Sequence, residues 1–97
     1  MSDANYYNNS NIGSIPVSNT STIIVARNSK RKYCALTNKG PQDVWVNIGK
    51  LPVFGEGILL GKNGGSYEID QSKLHTGTIA GITLAGTSNV AFLEGDI

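Results

Sequence analysis

A turn-forming cluster interrupts this chain every few residues from position 38 onward, and that punctuation constrains the fold more than any other feature. Breaks fall at 38–41 (Asn-Lys-Gly-Pro), at Gly49, at 55–57 (Gly-Glu-Gly), at 62–65 (Lys-Asn-Gly-Gly), at Gly77 and at Gly86. Glycine accepts positive φ at little steric cost and proline presets φ, so each cluster turns the chain. No window long enough for a stable helix carries helical apolar spacing. Short strands are what remains.

The runs between the breaks have strand character. Residues 20–27 (TSTIIVAR) are β-branched and compact. Residues 32–38 (KYCALTN) alternate Cys34 and Leu36 on one face with Tyr33, Ala35 and Thr37 on the other. Residues 43–48 (DVWVNI) place Val44, Val46 and Ile48 on one side, with Trp45 and Asn47 opposite. The others are 57–61 (GILLG), 66–70 (SYEID), 78–85 (TIAGITLA) and 89–94 (NVAFLE), where Val90 and Phe92 share a face. Period-two alternation over short runs marks half-buried strands. Asn63-Gly64 is the dipeptide of a type I′ turn and predicts a hairpin joining 57–61 to 66–70. About seven short strands at regular spacing predict an all-β fold, a small antiparallel β-sandwich or β-barrel.

Residues 1–19 read differently. Asn and Ser dominate and apolar anchors are sparse, so the segment cannot offset its own ordering entropy in isolation. Two readings stay open: a disordered terminus, or an extended N-terminal arm that orders on a partner. In the second, Tyr6, Tyr7, Ile12 and Ile15 are the partner-binding side chains. The expected organisation is an arm over 1–19 and one β domain over 20–97, since 97 residues leave room for a single core. The arm also accounts for part of the low apolar (39%) and charged (15%) content.

Charge and cysteine content narrow the functional classes. A formal net charge of +1 gives no general attraction to nucleic acid or to an anionic membrane, which basic stripes supply. One cysteine allows neither an internal disulfide nor a multi-cysteine zinc site. No apolar stretch approaches the length of a membrane span. The start, MSDANYYNNSN, lacks the basic and apolar regions of a signal peptide. These features predict a soluble product of a cytosol, with no nucleic-acid or membrane partner and no cofactor.

Catalysis needs a nucleophile with its base, paired carboxylates or a metal. His75 is the single histidine, and its setting, Gln71 to Gly77, reads as an exposed inter-strand loop. Cys34 lies inward on its strand and reads as a small core hydrophobe. The carboxylates are scattered, with Glu68 and Asp70 on one solvent face. The segment 61–66 (GKNGGS) lacks the spacing of a phosphate loop and no helix follows it. No catalytic or metal-binding residue is assigned, and the chain is expected not to be an enzyme.

Two features stand out as binding candidates. Arg27, Lys30, Arg31 and Lys32 form a basic turn between the first two runs, which either meets an acidic or phosphate-bearing partner or is a solvated turn. Trp45 points away from Val44 and Val46, and an outward tryptophan is usually covered, either by its own chain or by another subunit.

The stretch from residue 27 to 96 resembles small β-sandwich proteins of tailed bacteriophage virions. The resemblance rests on 28–33 (NSKRKY), on the alternating strand ending in Thr37-Asn38 and on 44–49 (VWVNIG). It continues through 57–60 (GILL), 64–68 (GGSYE) and 86–90 (GTSNV). It implies a structural virion protein, foremost a capsid decoration (cement) protein; the arm and the basic turn are the segments then expected to dock on the shell. Its partners would be the major capsid protein or another virion protein, with a homotrimer as the expected oligomer and the virion as its location. The alternative is a carbohydrate- or receptor-binding module of a tail or head fibre, with Trp45 as a stacking platform. A nucleic-acid-binding barrel is disfavoured by the near-neutral charge.

Overall fold

The computed structural model describes residues 9–70 and 75–96. Eight strands follow one another without a helix among these residues: β1 (Asn9–Val17), β2 (Thr22–Val25), β3 (Arg31–Asn38), β4 (Val44–Ile48), β5 (Ile58–Leu60), β6 (Ser66–Ile69), β7 (Ile79–Ile82) and β8 (Ser88–Asp96). They form two antiparallel four-stranded sheets, β1-β8-β3-β6 and β2-β7-β4-β5. The fold is therefore a β-sandwich, and the barrel alternative falls away.

The pairing has a simple logic. β1 pairs with β8, β2 with β7, β3 with β6 and β4 with β5, as in one long hairpin folded at its middle. Rolling that double ribbon brings β8 beside β3 and β7 beside β4, which completes the two sheets. This is the strand order of a jelly roll. Apart from the β4–β5 hairpin, successive strands cross between the two layers, so the turn clusters lie at the two ends of the sandwich. One end carries the β2–β3, β4–β5 and β6–β7 connections together with the start of β1 and the finish of β8.

The core lies between the sheets and follows the alternation of the sequence. Cys34 and Leu36 of β3, Val44 and Val46 of β4, Leu60, Ile69, Ile79 and Val90 are all buried, and Phe92 packs against them. The break after β4 needs its glycine. Gly57 has φ +99° and a Cβ there would lie 2.7 Å from the Val46 carbonyl oxygen, so no other residue fits without backbone movement.

Three expectations change. Residues 9–17, read as part of the arm, form β1 and pair with β8 along their whole length; the sandwich has eight strands and starts before residue 20. Pairing along β8 satisfies one side of this polar segment's backbone, and Val17 supplies a fully buried anchor. Second, Asn63 and Gly64 both have positive φ, as a type I′ dipeptide requires, yet they join β5 in one sheet to β6 in the other. They make a crossover corner, fastened by Asn63 N–H to Gly40 C=O (2.9 Å) and Gly64 N–H to Asn38 C=O (2.7 Å). Third, Arg31 is not an exposed turn residue: it is fully buried.

Candidate docking surfaces

Arg31 shows how the turn before β3 is built. The pairing of β3 with β8 shifts register between Arg31 and Tyr33, and a bulge re-aims the side chain beside it. Nε then donates to the Glu94 carboxylate at 2.7 Å, Nη1 to the carbonyls of His75 (2.9 Å) and Gly77 (3.0 Å), and Nη2 to that of Ala26 (2.8 Å). One planar fork thus ties β8 to the β2–β3 and β6–β7 connections. Glu94 shares the inward phase of Val90 and Phe92 and is itself buried. Arg31 is consumed by the fold and is not a partner-binding residue.

The other three cations keep their accessibility to different degrees. Arg27 and Lys30 are exposed and Lys32 is half-buried. The turn has a fixed shape: the Asn28 side chain accepts from Lys30 N–H at 3.0 Å, and Asn28 N–H donates to the Thr76 carbonyl at 2.9 Å. An Asx turn of this kind orders the backbone that carries Arg27 and Lys30.

The arm candidates separate along β1. Ile12 is on the outer face and 76% exposed, whereas Ile15 pairs with Val90 on the inward face and is half-buried. Ile15 is thus a core-facing residue rather than a docking one. Tyr6 and Tyr7 lie outside the described residues. β1 is an edge strand: among the described residues only β8 pairs with it. Pro16 has no N–H to give a ladder, and proline within a strand sits with that position toward the open side. By period two, the backbone groups of Ser14, Ile12 and Ser10 then face the same open side.

These pieces meet at one end of the sandwich. The start of β1, the basic turn and the finish of β8 enclose an open cleft of ≈ 520 Å³, with Asn11 and Ile12 on one wall and Ala26, Arg27 and Asn28 on the other. Phe92 and Glu94 form its floor. Glu94 already serves Arg31, and Asn11 Nδ2 approaches its second oxygen at 3.4 Å. The floor is therefore a satisfied ion pair rather than a free acid.

Trp45 is elsewhere, on the outer face of the β2-β7-β4-β5 sheet. It is half-buried and meets Phe54 edge-to-face, with ring centroids 6.3 Å apart. Directly across the strands, Ile82 and Leu59 flank it. The next β4 residue on this face, Asn47, spends its side-chain oxygen on the N–H of Ile48 at 2.8 Å. The flanking side chains are apolar, a poor match for sugar hydroxyls, which need convergent polar partners.

Little else is chemically equipped. His75 is exposed, as its loop setting predicts. Cys34 is buried, and desolvation pushes its thiol up to about 11, with the Arg31 charge opposing and the Glu94 charge adding to the rise. A thiol held protonated is a poor nucleophile. Among the described residues no three His, Cys, Asp or Glu side chains gather as metal ligands, and no helix is long and apolar enough to cross a membrane. The signals that could have exposed the buried pair were partial. Glu94 sits in phase with Val90 and Phe92 in the sequence, but the bulge that turns Arg31 inward leaves no trace there.

No protein-family model matches this chain, and no curated protein matches it. Among solved structures it is similar to a chain of Bacillus endospore appendages, a novel family of disulfide-linked pili. The TM-score is 0.55 at 14% identity, over 92% of this chain and 86% of that one. At this identity the likeness concerns the fold.

Proposed function

We propose that the chain is a structural module of a larger protein particle, in the role of a capsid decoration protein of a tailed-phage virion. One observation carries the reading: arm strand, basic turn and open cleft converge on a single end of a stiff sandwich. Ile12, Arg27 and Lys30 give that end an apolar and two cationic contacts, and the open side of β1 adds backbone groups for strand addition. Glu94 and Arg31 hold the end rigid without taking part. The sequence resemblance over 27–96 points to virions, and many copies on a symmetric shell let modest single contacts add through avidity.

The test is an inventory of gradient-purified particles from the source of the chain, by quantitative mass spectrometry. The expected result is the chain in a fixed ratio to the shell protein, with Ile12→Glu and Arg27→Glu/Lys30→Glu variants lost from the particle fraction. Wild-type chain found only outside particles overturns the proposal. The fold shared with a chain of endospore pili favours a second reading, a subunit that polymerises into a filament. That neighbour belongs to a disulfide-linked family, whereas the single cysteine here is buried. A filament of this chain would therefore form without disulfides and resist reductant.

A further inference from the structure

The corner between β5 and β6 carries a reactive dipeptide. Asn63-Gly64 is the one Asn-Gly pair in the chain, and the fold calls for both residues. Asn63 sits at φ +60° and Gly64 at φ +121°. Asparagine tolerates the left-handed region better than most side chains, and glycine takes the second angle freely. The same pair is chemically labile. Glycine has no side chain to hinder approach, so the backbone nitrogen of Gly64 can attack Cγ of Asn63. A C–N bond then closes a five-membered succinimide, and the side-chain nitrogen leaves as ammonia with the proton that the backbone nitrogen gives up. Water opens the ring at either carbonyl and leaves aspartate or isoaspartate at position 63. Asn63 is exposed, so burial does not keep water from it.

The restraint lies in the backbone. Attack requires the Gly64 nitrogen to shed its proton and the peptide plane between 63 and 64 to turn toward Asn63 Cγ. In the fold that N–H donates to Asn38 C=O at 2.7 Å, and Asn63 N–H donates to Gly40 C=O at 2.9 Å. The neighbouring residues are tied as well: Lys62 N–H donates to Asp43 Oδ1 at 2.8 Å and Gly65 N–H to Gly61 C=O at 2.9 Å. Asn38 cannot follow a moving corner, because it is buried and its amide is bonded to Gln42, Leu60, Gly40 and Ser88. We infer that Asn63 is a latent modification site, whose deamidation is held back by this corner and released when the corner opens. Two backbone hydrogen bonds at their usual net worth favour the closed corner about 30-fold. Release is one-way. Isoaspartate adds a methylene to the main chain, so the two N–H groups no longer match their two acceptors. Aspartate adds a negative charge one residue from the Lys62 N–H that Asp43 holds. A chain that has opened for long is thus marked, whichever particle it serves.

Ageing of the purified full chain at one mildly alkaline pH and one temperature, with and without guanidinium chloride, tests this. Peptide mass spectrometry follows conversion of Asn63, and hydrogen exchange by nuclear magnetic resonance follows the Gly64 N–H. Conversion in buffer should be about 30-fold slower than in denaturant, and exchange at Gly64 should be slowed by about the same factor against an open chain. Asp43 is exposed, so Asp43→Ala removes the acceptor of Lys62 N–H without touching the core. That variant should speed both processes several-fold while its circular dichroism stays that of the wild type. Three results would each overturn the inference: folded wild type converting at the denatured rate, a Gly64 N–H exchanging as in an open chain, or Asp43→Ala converting as slowly as the wild type.

Discussion

Replacing Arg31 by Met keeps volume in the interior and removes the fork that Glu94, His75, Gly77 and Ala26 share. The Glu94 carboxylate is then buried without its partner, and breaking a buried pair from one side costs about 3–5 kcal/mol. The three carbonyls are only part-buried, so water replaces much of what they lose. A chain of this length has about 5–15 kcal/mol in total, so Arg31→Met should remove about a fifth of it or more and lower Tm by about 15–30 °C. The double variant Arg31→Met/Glu94→Leu removes the stranded charge as well and should recover about 2 kcal/mol or more. Urea unfolding followed by Trp45 fluorescence at one protein concentration measures all members of the cycle. An Arg31→Met cost below about 1 kcal/mol would refute the claim that this pair anchors the end of the sandwich. A double variant no more stable than the single would assign the loss to the carbonyl bonds instead.

Three further outcomes follow from the same structure. Asn38 is buried with its amide fully used: Nδ2 donates to Gln42 and Leu60 carbonyls, and Oδ1 accepts from Gly40 N–H and the Ser88 hydroxyl; Asn38→Ala should cost about 2–4 kcal/mol in urea unfolding. Cys34 holds its proton in the fold up to about 11, while an unfolded thiol releases it near ~8.5. Its contribution is therefore complete below that lower value and is lost as pH rises toward the upper one. Wild type should lose more stability than Cys34→Ala between those limits, and a thiol reagent should label Cys34 only after urea is added. Deleting residues 1–8 removes no described pairing and should leave the melt cooperative, whereas deleting 1–19 takes β1 from β8 and should abolish it, as far-ultraviolet circular dichroism would report.

Where burial follows a regular two-residue period, the sequence is readable. Cys34 and Leu36 on β3, and Val44 and Val46 on β4, point inward in the structure as their alternation predicts. β1 escapes this reading because its inward positions include Asn11 and Gly13, while its most exposed apolar residue, Ile12, points outward. Its strand state comes from β8, distant in sequence, rather than from its own composition. The Asn63-Gly64 turn was legible in its dihedral angles but not in its partners, since positive φ serves a corner between sheets as well as a hairpin. Of the docking candidates, Arg27 and Lys30 kept their exposure, and Arg31 lost it to a bulge that shifts phase by one residue. Trp45 was visible as an anomaly, but the apolar row around it depends on strand neighbours that only the register supplies.

The place of β8 between β1 and β3 governs when the molecule can fold during its synthesis. β8 is the last described strand to leave the ribosome, yet it is an interior strand of its sheet. Until it emerges, β1 has no described partner, and β3 holds only β6. Pairings such as Asn9 with Asp96 close nearly the whole chain in one loop, and such non-local contacts form slowly, over milliseconds to seconds. Folding therefore waits until β8 has left the ribosome, and nascent chains expose apolar strands until then. Products terminated before residue 88 would lack the fold altogether, so a C-terminal purification tag selects the chains that can complete it, and an N-terminal tag does not.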